Sequence, residues 1–300
     1  MYGLYIAQQL INALSYGSIL ALLAIGYTMI YGILGLINFA HGEIFMIGAF
    51  CAYLLLAFGG SPFLIGFLAA LGGAVIIGML VQRTVYAPCL KRNPEVLTVF
   101  IASFGASLGL RSLFTMIFGD SRRAFPTPDF LEGILITDSG LFLNVKDIWI
   151  FGIALALVVG TTLFIRFSRT GMAMRAVAYD ANAAGLAGIN SRRIVLYAFV
   201  LGSALAGVAA VAYGTSFGVV TPSMGYLIGL NAFIAAVLGG IGNVPGAAVG
   251  GYIIGLGEIM FVALLPPQFS AVRPIFVWML LFLILFVKPS GLFRPNIKIE

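Results

Sequence analysis

Apolar runs of about bilayer length, parted by short polar interruptions, recur along the whole chain and predict helices before any single residue does. Ten such runs are readable, at residues 4–22, 23–38, 43–58, 62–81, 96–118, 148–165, 194–214, 226–239, 245–264 and 271–287. The second and eighth are short enough to be half-helices or re-entrant segments. The pattern predicts an all-α polytopic membrane protein: one transmembrane domain over residues 1–300, a bundle of eight to ten helices with broken or short members, and a cytoplasmic helix in the loop 167–193. One interruption differs from the others. Gly26-Tyr-Thr-Met-Ile-Tyr-Gly-Ile-Leu-Gly-Leu-Ile-Asn-Phe-Ala-His-Gly-Glu43 begins apolar and continues apolar, yet gathers Asn38, His41 and Glu43 between its two arms. A polar break at that depth is costly unless other protein or a water-filled cavity encloses it, so the segment reads as the wall of a path.

Composition agrees. With 61% hydrophobic and 9% charged residues, and a mean hydropathy of +1.11, there is more apolar surface than one soluble core hides. The 38 glycines suit helices that pack closely through small residues. Cys51 and Cys89 have no ligand or disulfide spacing.

The net charge of +6 is a matter of sidedness, not of nucleic acid. If Met1 is cytoplasmic and all ten runs cross, eleven Lys and Arg residues fall in inner loops and four in outer ones, the bias expected of a membrane protein. Both termini are then cytoplasmic, and no cleavable leader precedes the first helix.

Several other features narrow the picture. Residues 120–147 hold five acids and three bases and are too polar to cross, so they form an outer loop: either a plain connection or a docking surface for a soluble partner. Arg111 lies about 10 Å from the outer end of its helix at 1.5 Å per residue, placed to snorkel or pair; a role in the path is the alternative. Glu258 is expected to pair with Arg273 at the outer mouth or to act as a gate there. Gly239-Gly-Ile-Gly-Asn-Val-Pro-Gly246 lies between two membrane runs, which excludes a dinucleotide fingerprint. It reads instead as an exposed-backbone break between half-helices, and Gly246, Gly250, Gly251 and Gly255 as close-packing positions. In the loop after the sixth run, strong helix formers follow Thr170-Gly171 and end at Gly188, predicting a helix over 172–188 that either enters a partner's groove or lies on the membrane surface.

Asn182-Ala-Ala-Gly-Leu-Ala-Gly188 is similar to the Glu-Ala-Ala-x-x-x-Gly coupling loop of bacterial ABC importer permeases, with Asn182 in the usual Glu position. Asn38-Phe-Ala-His-Gly-Glu43, Met46-Ile-Gly-Ala49 and Ala235-Ala-Val-Leu-Gly-Gly-Ile-Gly-Asn-Val-Pro-Gly-Ala247 extend the resemblance to the LivH-type permeases of branched-chain amino acid ABC transporters, from about Gln8 to Arg294. The resemblance implies a bacterial inner-membrane subunit with no chemistry or cofactor of its own. Its implied partners are a second homologous permease, two cytoplasmic ATPases and a periplasmic or lipid-anchored solute-binding protein. No phosphate loop is present, so ATP is bound elsewhere. The resemblance assigns coupling to Arg175, Asp180, Asn182, Ala183, Ala184 and Gly188; the candidate pathway residues are Asn38, His41, Glu43, Gly239, Gly240, Asn243 and Glu258. A urea or other small-solute permease, a sugar permease and an ATP-independent secondary transporter remain alternatives, the last needing an intramembrane acid such as Glu43. One His in the chain leaves no paired nucleophile and base for an enzyme. An inverted internal duplication, runs two to five against seven to ten, is expected without a residue-level alignment.

Overall fold

A computed structural model describes residues 2–91, 96–136, 141–266 and 272–293. The chain runs α1 (Tyr2–Leu34), α2 (His41–Ala57), α3 (Phe63–Val81), a π-helical turn (Gln82–Tyr86), α4 (Ala87–Lys91), α5 (Val96–Phe118), α6 (Val145–Phe167), α7 (Arg169–Tyr179), α8 (Ala181–Leu186), α9 (Ser191–Phe217), α10 (Met224–Gly239), α11 (Val244–Leu264) and α12 (Arg273–Val287). Short strands β1 (Arg123–Ala124) and β4 (Val219–Val220) pair antiparallel, as do β2 (Ile134–Ile136) and β3 (Phe142–Asn144). Six helices are long and apolar enough to cross a bilayer, and α2, α10 and α12 are shorter apolar helices. The protein is an all-α polytopic bundle.

The first two expected runs are one helix. Nothing between Leu22 and Leu23 breaks a helix, and α1 continues for 33 residues, about 50 Å, until Gly35 turns the chain at φ +65°. This merger leaves nine apolar helices among the described residues where the sequence pattern offers ten runs. Near the start of α1, Gln8 Nε2 donates to the Phe142 carbonyl at 2.9 Å and Gln8 Oε1 accepts from Phe142 N at 3.0 Å. At the other end of the chain, Leu292 N donates to Leu238 O at 2.8 Å and Phe293 N to Gly239 O at 3.3 Å. That end lies beside the 167–193 hairpin, since Gly242 and Pro245 share a cavity with Arg166 and Arg175.

The expected duplication is present with different boundaries. α1 packs along α11 and α9 along α3; α2 packs on α3 and α10 on α11; α2 crosses α9 and α10 crosses α1. Exchanging α1, α2 and α3 for α9, α10 and α11 leaves this set of neighbours unchanged, with counterparts running in opposite directions. The units are therefore α1–α3 and α9–α11, with α4 to α8 between them in the chain.

Small residues permit these crossings. A Cβ added at Gly255 would lie 2.5 Å from Gly17 Cα, and one at Gly251 2.5 Å from Ala21 Cα. In the other half, a Cβ at Gly207 would lie 2.9 Å from Ala70 O. The small face of α5 differs: Cβ atoms at Gly105 and Gly109 would meet nothing. Gly251→Leu and Gly255→Leu are each expected to lower the melting temperature of the purified protein sharply through overpacking, by about 1–3 kcal/mol or more. Gly152→Ala, inside α6 at a position with nothing within 4 Å, should not lower melting and should raise it slightly through helix propensity.

Candidate functional site

The site is built where the two repeats meet. Residues 35–40 leave α1 as extended chain and turn into α2, with His41 N donating to Asn38 O at 3.1 Å. The Ile37 carbonyl pins this segment, accepting from Tyr86 Oη at 3.0 Å and from Ser103 Oγ at 3.3 Å. Tyr86 sits on the π-helical turn that continues α3 directly into α4, and its side chain is fully buried. Neither Tyr86 nor Ser103 stands out in the sequence, because Tyr86 falls between two apolar runs, Ser103 falls inside one, and only the packing of α5 and the π-helical turn against the break brings them to Ile37.

His41 and Glu43 begin α2 and are buried at 0% and 1% exposure, with Asn38 at 2%. The His41 ring stands edge-on to Tyr27, centroids 4.6 Å apart, where the backbones of α1 and α9 touch: a Cβ at Gly26 would lie within 3.0 Å of Gly202 O and run into the imidazole. The Leu23 carbonyl faces the ring without completing a hydrogen bond, and neither ring nitrogen has a protein partner. Both polar atoms of the Asn38 side chain, Thr28 Oγ1 and Ser203 Oγ are likewise without protein partners. Each such buried group costs about 1–3 kcal/mol, so the cluster does not serve stability. Glu43 is half satisfied: Oε1 accepts from Ser107 Oγ at 3.2 Å and Oε2 has no partner. Asn38 lines a narrow crevice with Tyr27, Tyr31, Ile37, Phe233 and Ile241.

The other candidate residues lie elsewhere. Gly239 and Gly240 are packed backbone to backbone: Gly239 against Gly246, and Gly240, at φ +100°, against Phe293 and Ser290. Asn243 caps α11, its Oδ1 accepting from Gly246 N at 3.1 Å. Glu258 is buried and its Oε1 accepts from Asn231 Nδ2 at 2.5 Å. The expected pairing of Glu258 with Arg273 falls on a side chain outside the described residues. The structure thus brings Asn38, His41 and Glu43 onto one short buried segment; Gly239, Gly240 and Asn243 belong to the turn whose Ile241 lines the Asn38 crevice, and Glu258 lies on α11.

On the opposite side from Phe142, the expected single helix over 172–188 is two. Asp180 breaks it, capping α8 by accepting from Asn182 N at 2.8 Å and Ala183 N at 2.9 Å. The cap is therefore Asp180, not the residue in the familiar Glu position. Arg175 Nη1 donates to the Ile165 and Arg166 carbonyls, fastening α7 to the C-terminal end of α6. Ala184 is buried while Asn182 and Ala183 are exposed, and Gly188 turns the chain at φ +84°. Tyr179 and Leu186, 75% and 93% exposed, crown the knuckle. A cavity of about 650 Å³ opens here between α1, α6, α7 and the 242–245 turn.

An inverted helical repeat, a polar break enclosed at its centre and an exposed two-helix knuckle define a membrane transport subunit. The chain matches the family described as branched-chain amino acid transport system permease component over residues 9–287, and it belongs to that family. It is 39% identical to the high-affinity branched-chain amino acid transport system permease protein BraD of Pseudomonas aeruginosa, over 97% of each chain. It is 37% identical to LivH of Escherichia coli K12, over 98% of each. The galactofuranose transporter permease YtfT of Escherichia coli K12 is 29% identical over 87% of this chain and 75% of its own. Among solved structures, PsaBC from Streptococcus pneumoniae in complex with Fab shares the fold at a TM-score of 0.51 and 13% identity, covering 93% of this chain and 91% of that one.

Gly26→Ala is expected to destabilise the purified protein by about 1–3 kcal/mol, because the new methyl enters the His41 ring. Adding His41→Ala should recover part of that loss, a non-additivity readable as a double-mutant cycle in melting temperature.

Proposed function

We propose that this chain is the membrane permease subunit of an ABC importer that moves leucine, isoleucine and valine by ATP-driven alternating access. The observation that carries the reading is near full-length similarity to permeases named for high-affinity branched-chain amino acid transport. The working complex adds a second homologous permease, two cytoplasmic ATPases and a receptor that delivers substrate from the periplasm or from a lipid anchor. Positive charge still puts the 167–193 hairpin in the cytoplasm, because residues 1–22 contain no Lys or Arg and the merger of the first two runs moves none across. The N-terminus is then periplasmic and the C-terminal end cytoplasmic.

The knuckle of α7 and α8 is the ATPase contact. Tyr179 and Leu186 are large apolar side chains held out from a frame anchored by Asp180 and Arg175, the form of an anchor that fills a partner's groove. Motion of that frame passes through the Arg175 grip to α6 and to the end of α1. The centre is the path: unpartnered polar groups at Asn38, His41 and Glu43 give a passing solute partners that the fold withholds. On the other face, the exposed apolar strands β2 and β3 and Phe130 form the receptor side.

Leu186→Glu should cut co-purification with the ATPases and ATP-driven leucine uptake at least tenfold, with melting unchanged. Asn38→Ala, His41→Ala and Glu43→Gln should each lower that uptake; wild-type transport in all three would remove the break from the path.

A further inference from the structure

One line of side chains on α5 faces the break before α2 and the start of α10. Phe100, Phe104, Ser107 and Arg111 recur at steps of four, three and four and share a face. Phe39, in the break before α2, touches the first two, its ring 4.9 Å from Phe100 and 5.9 Å from Phe104. Ser107 holds one oxygen of Glu43. The Arg111 guanidinium lies over the Tyr226 ring at the start of α10, 5.5 Å from its centroid.

Arg111 lies one helical turn beyond Ser107, the residue that holds Glu43 Oε1, and among the described residues no hydrogen bond joins it to either carboxylate oxygen. A structural ion pair would close that gap, since an unclosed pair of opposite charges at membrane depth is costly on both sides. The cluster also has an open flank. Phe100 and Phe104 stay 41% and 38% exposed, and Tyr226 40%. A guanidinium beside such a flank argues against lipid there and for a surface lining a path or meeting another subunit.

We propose that Arg111 and Glu43 clamp the two charged ends of a zwitterionic α-amino acid: Arg111 takes the carboxylate, the free Oε2 of Glu43 takes the ammonium, and Phe39, Phe100 and Phe104 receive an aliphatic side chain. The inference rests on the import reading above and adds the determinant of substrate class. An amino acid carries both charges on one carbon and no net charge, which suits a base and an acid held near each other but unpaired. Urea or a sugar would leave both protein charges unmet, and so would be rejected at this point.

The test uses the assembled importer in proteoliposomes with its receptor and ATPases. Arg111→Gln and Glu43→Gln are each expected to lower leucine uptake at saturating receptor at least tenfold, and Arg111→Lys to stay within about threefold of wild type. Met116→Ala, on the exposed side of the same helix, should transport normally. In a background with Cys51 and Cys89 replaced by serine, Phe104→Cys should react with a charged, water-borne thiosulfonate reagent, and leucine supplied during turnover should slow that reaction. Wild-type leucine uptake by Arg111→Gln would overturn the clamp, as would a Phe104→Cys thiol that reacts only with membrane-permeant reagents. If the wild-type complex moves no amino acid at all, the import reading itself fails; leucine uptake untouched by Arg111→Gln leaves that reading standing and removes only the clamp.

Discussion

Lipid offers no hydrogen bonds, and that constraint organises this protein. Any stretch of chain that stops being helical within the bilayer must find its partners in other protein. The stretch 35–40 before α2 does so here, and the corresponding stretch 218–223 before α10 pairs its Val219–Val220 with strand β1 and its Gly218 carbonyl with Phe125 N. The enclosure requires close packing, which the glycines at 17, 26, 202, 207, 251 and 255 permit by letting backbones touch. Around the first break the enclosure is nearly complete for the main chain: Tyr86 and Ser103 satisfy Ile37. It is incomplete for the side chains. That contrast separates scaffold from function, since a fold that supplies backbone partners so carefully leaves Asn38 and His41 without any.

Much of this was legible along the chain. Asn38, His41 and Glu43 are conspicuous in an apolar background, and their convergence follows from their spacing at the start of one helix. Gly251 and Gly255 announce a close contact by their four-residue step. Other features depend on tertiary geometry that periodicity does not carry. Hydropathy divides α1 in two because a bilayer needs only about 20 residues, while a helix ends where its chemistry ends, at Gly35. Asp180 reads as a mid-helix residue until its carboxylate is seen folding back on the amides of Asn182 and Ala183. The glycines at 239 and 240 read as an open break; they are closed by residues 290–293 arriving from the far end of the chain.

The repeat gives these local features a common mechanical sense. Because α2 and α10 start near the centre and run toward opposite faces, displacement at one face moves one short helix while the long helices α1 and α9 keep their mutual contact at Gly26 and Gly202. A centre fixed by the long helices, flanked by one short helix from each repeat, is a geometry suited to opening to either side in turn. The segment α6 to α8 breaks the symmetry on one face alone, which is where an external motor would have to pull. Arg175, gripping the last carbonyls of α6, makes that segment part of the bundle and not a loop hung from it.

Glu43 is where the local and global arguments meet. It belongs to α2, so it moves with the first repeat; its contacts run to Ser107 of α5, and Arg111 of the same helix rests on Tyr226 of α10, in the second repeat. Any relative shift of α2 and α10 therefore changes the gap between Glu43 Oε2 and the Arg111 guanidinium. A fully paired Glu and Arg would resist such a shift, because separating them in a low-dielectric setting costs more than a helix rearrangement returns. Holding them near each other but unpaired keeps the motion inexpensive and leaves the site's charges for a solute to satisfy.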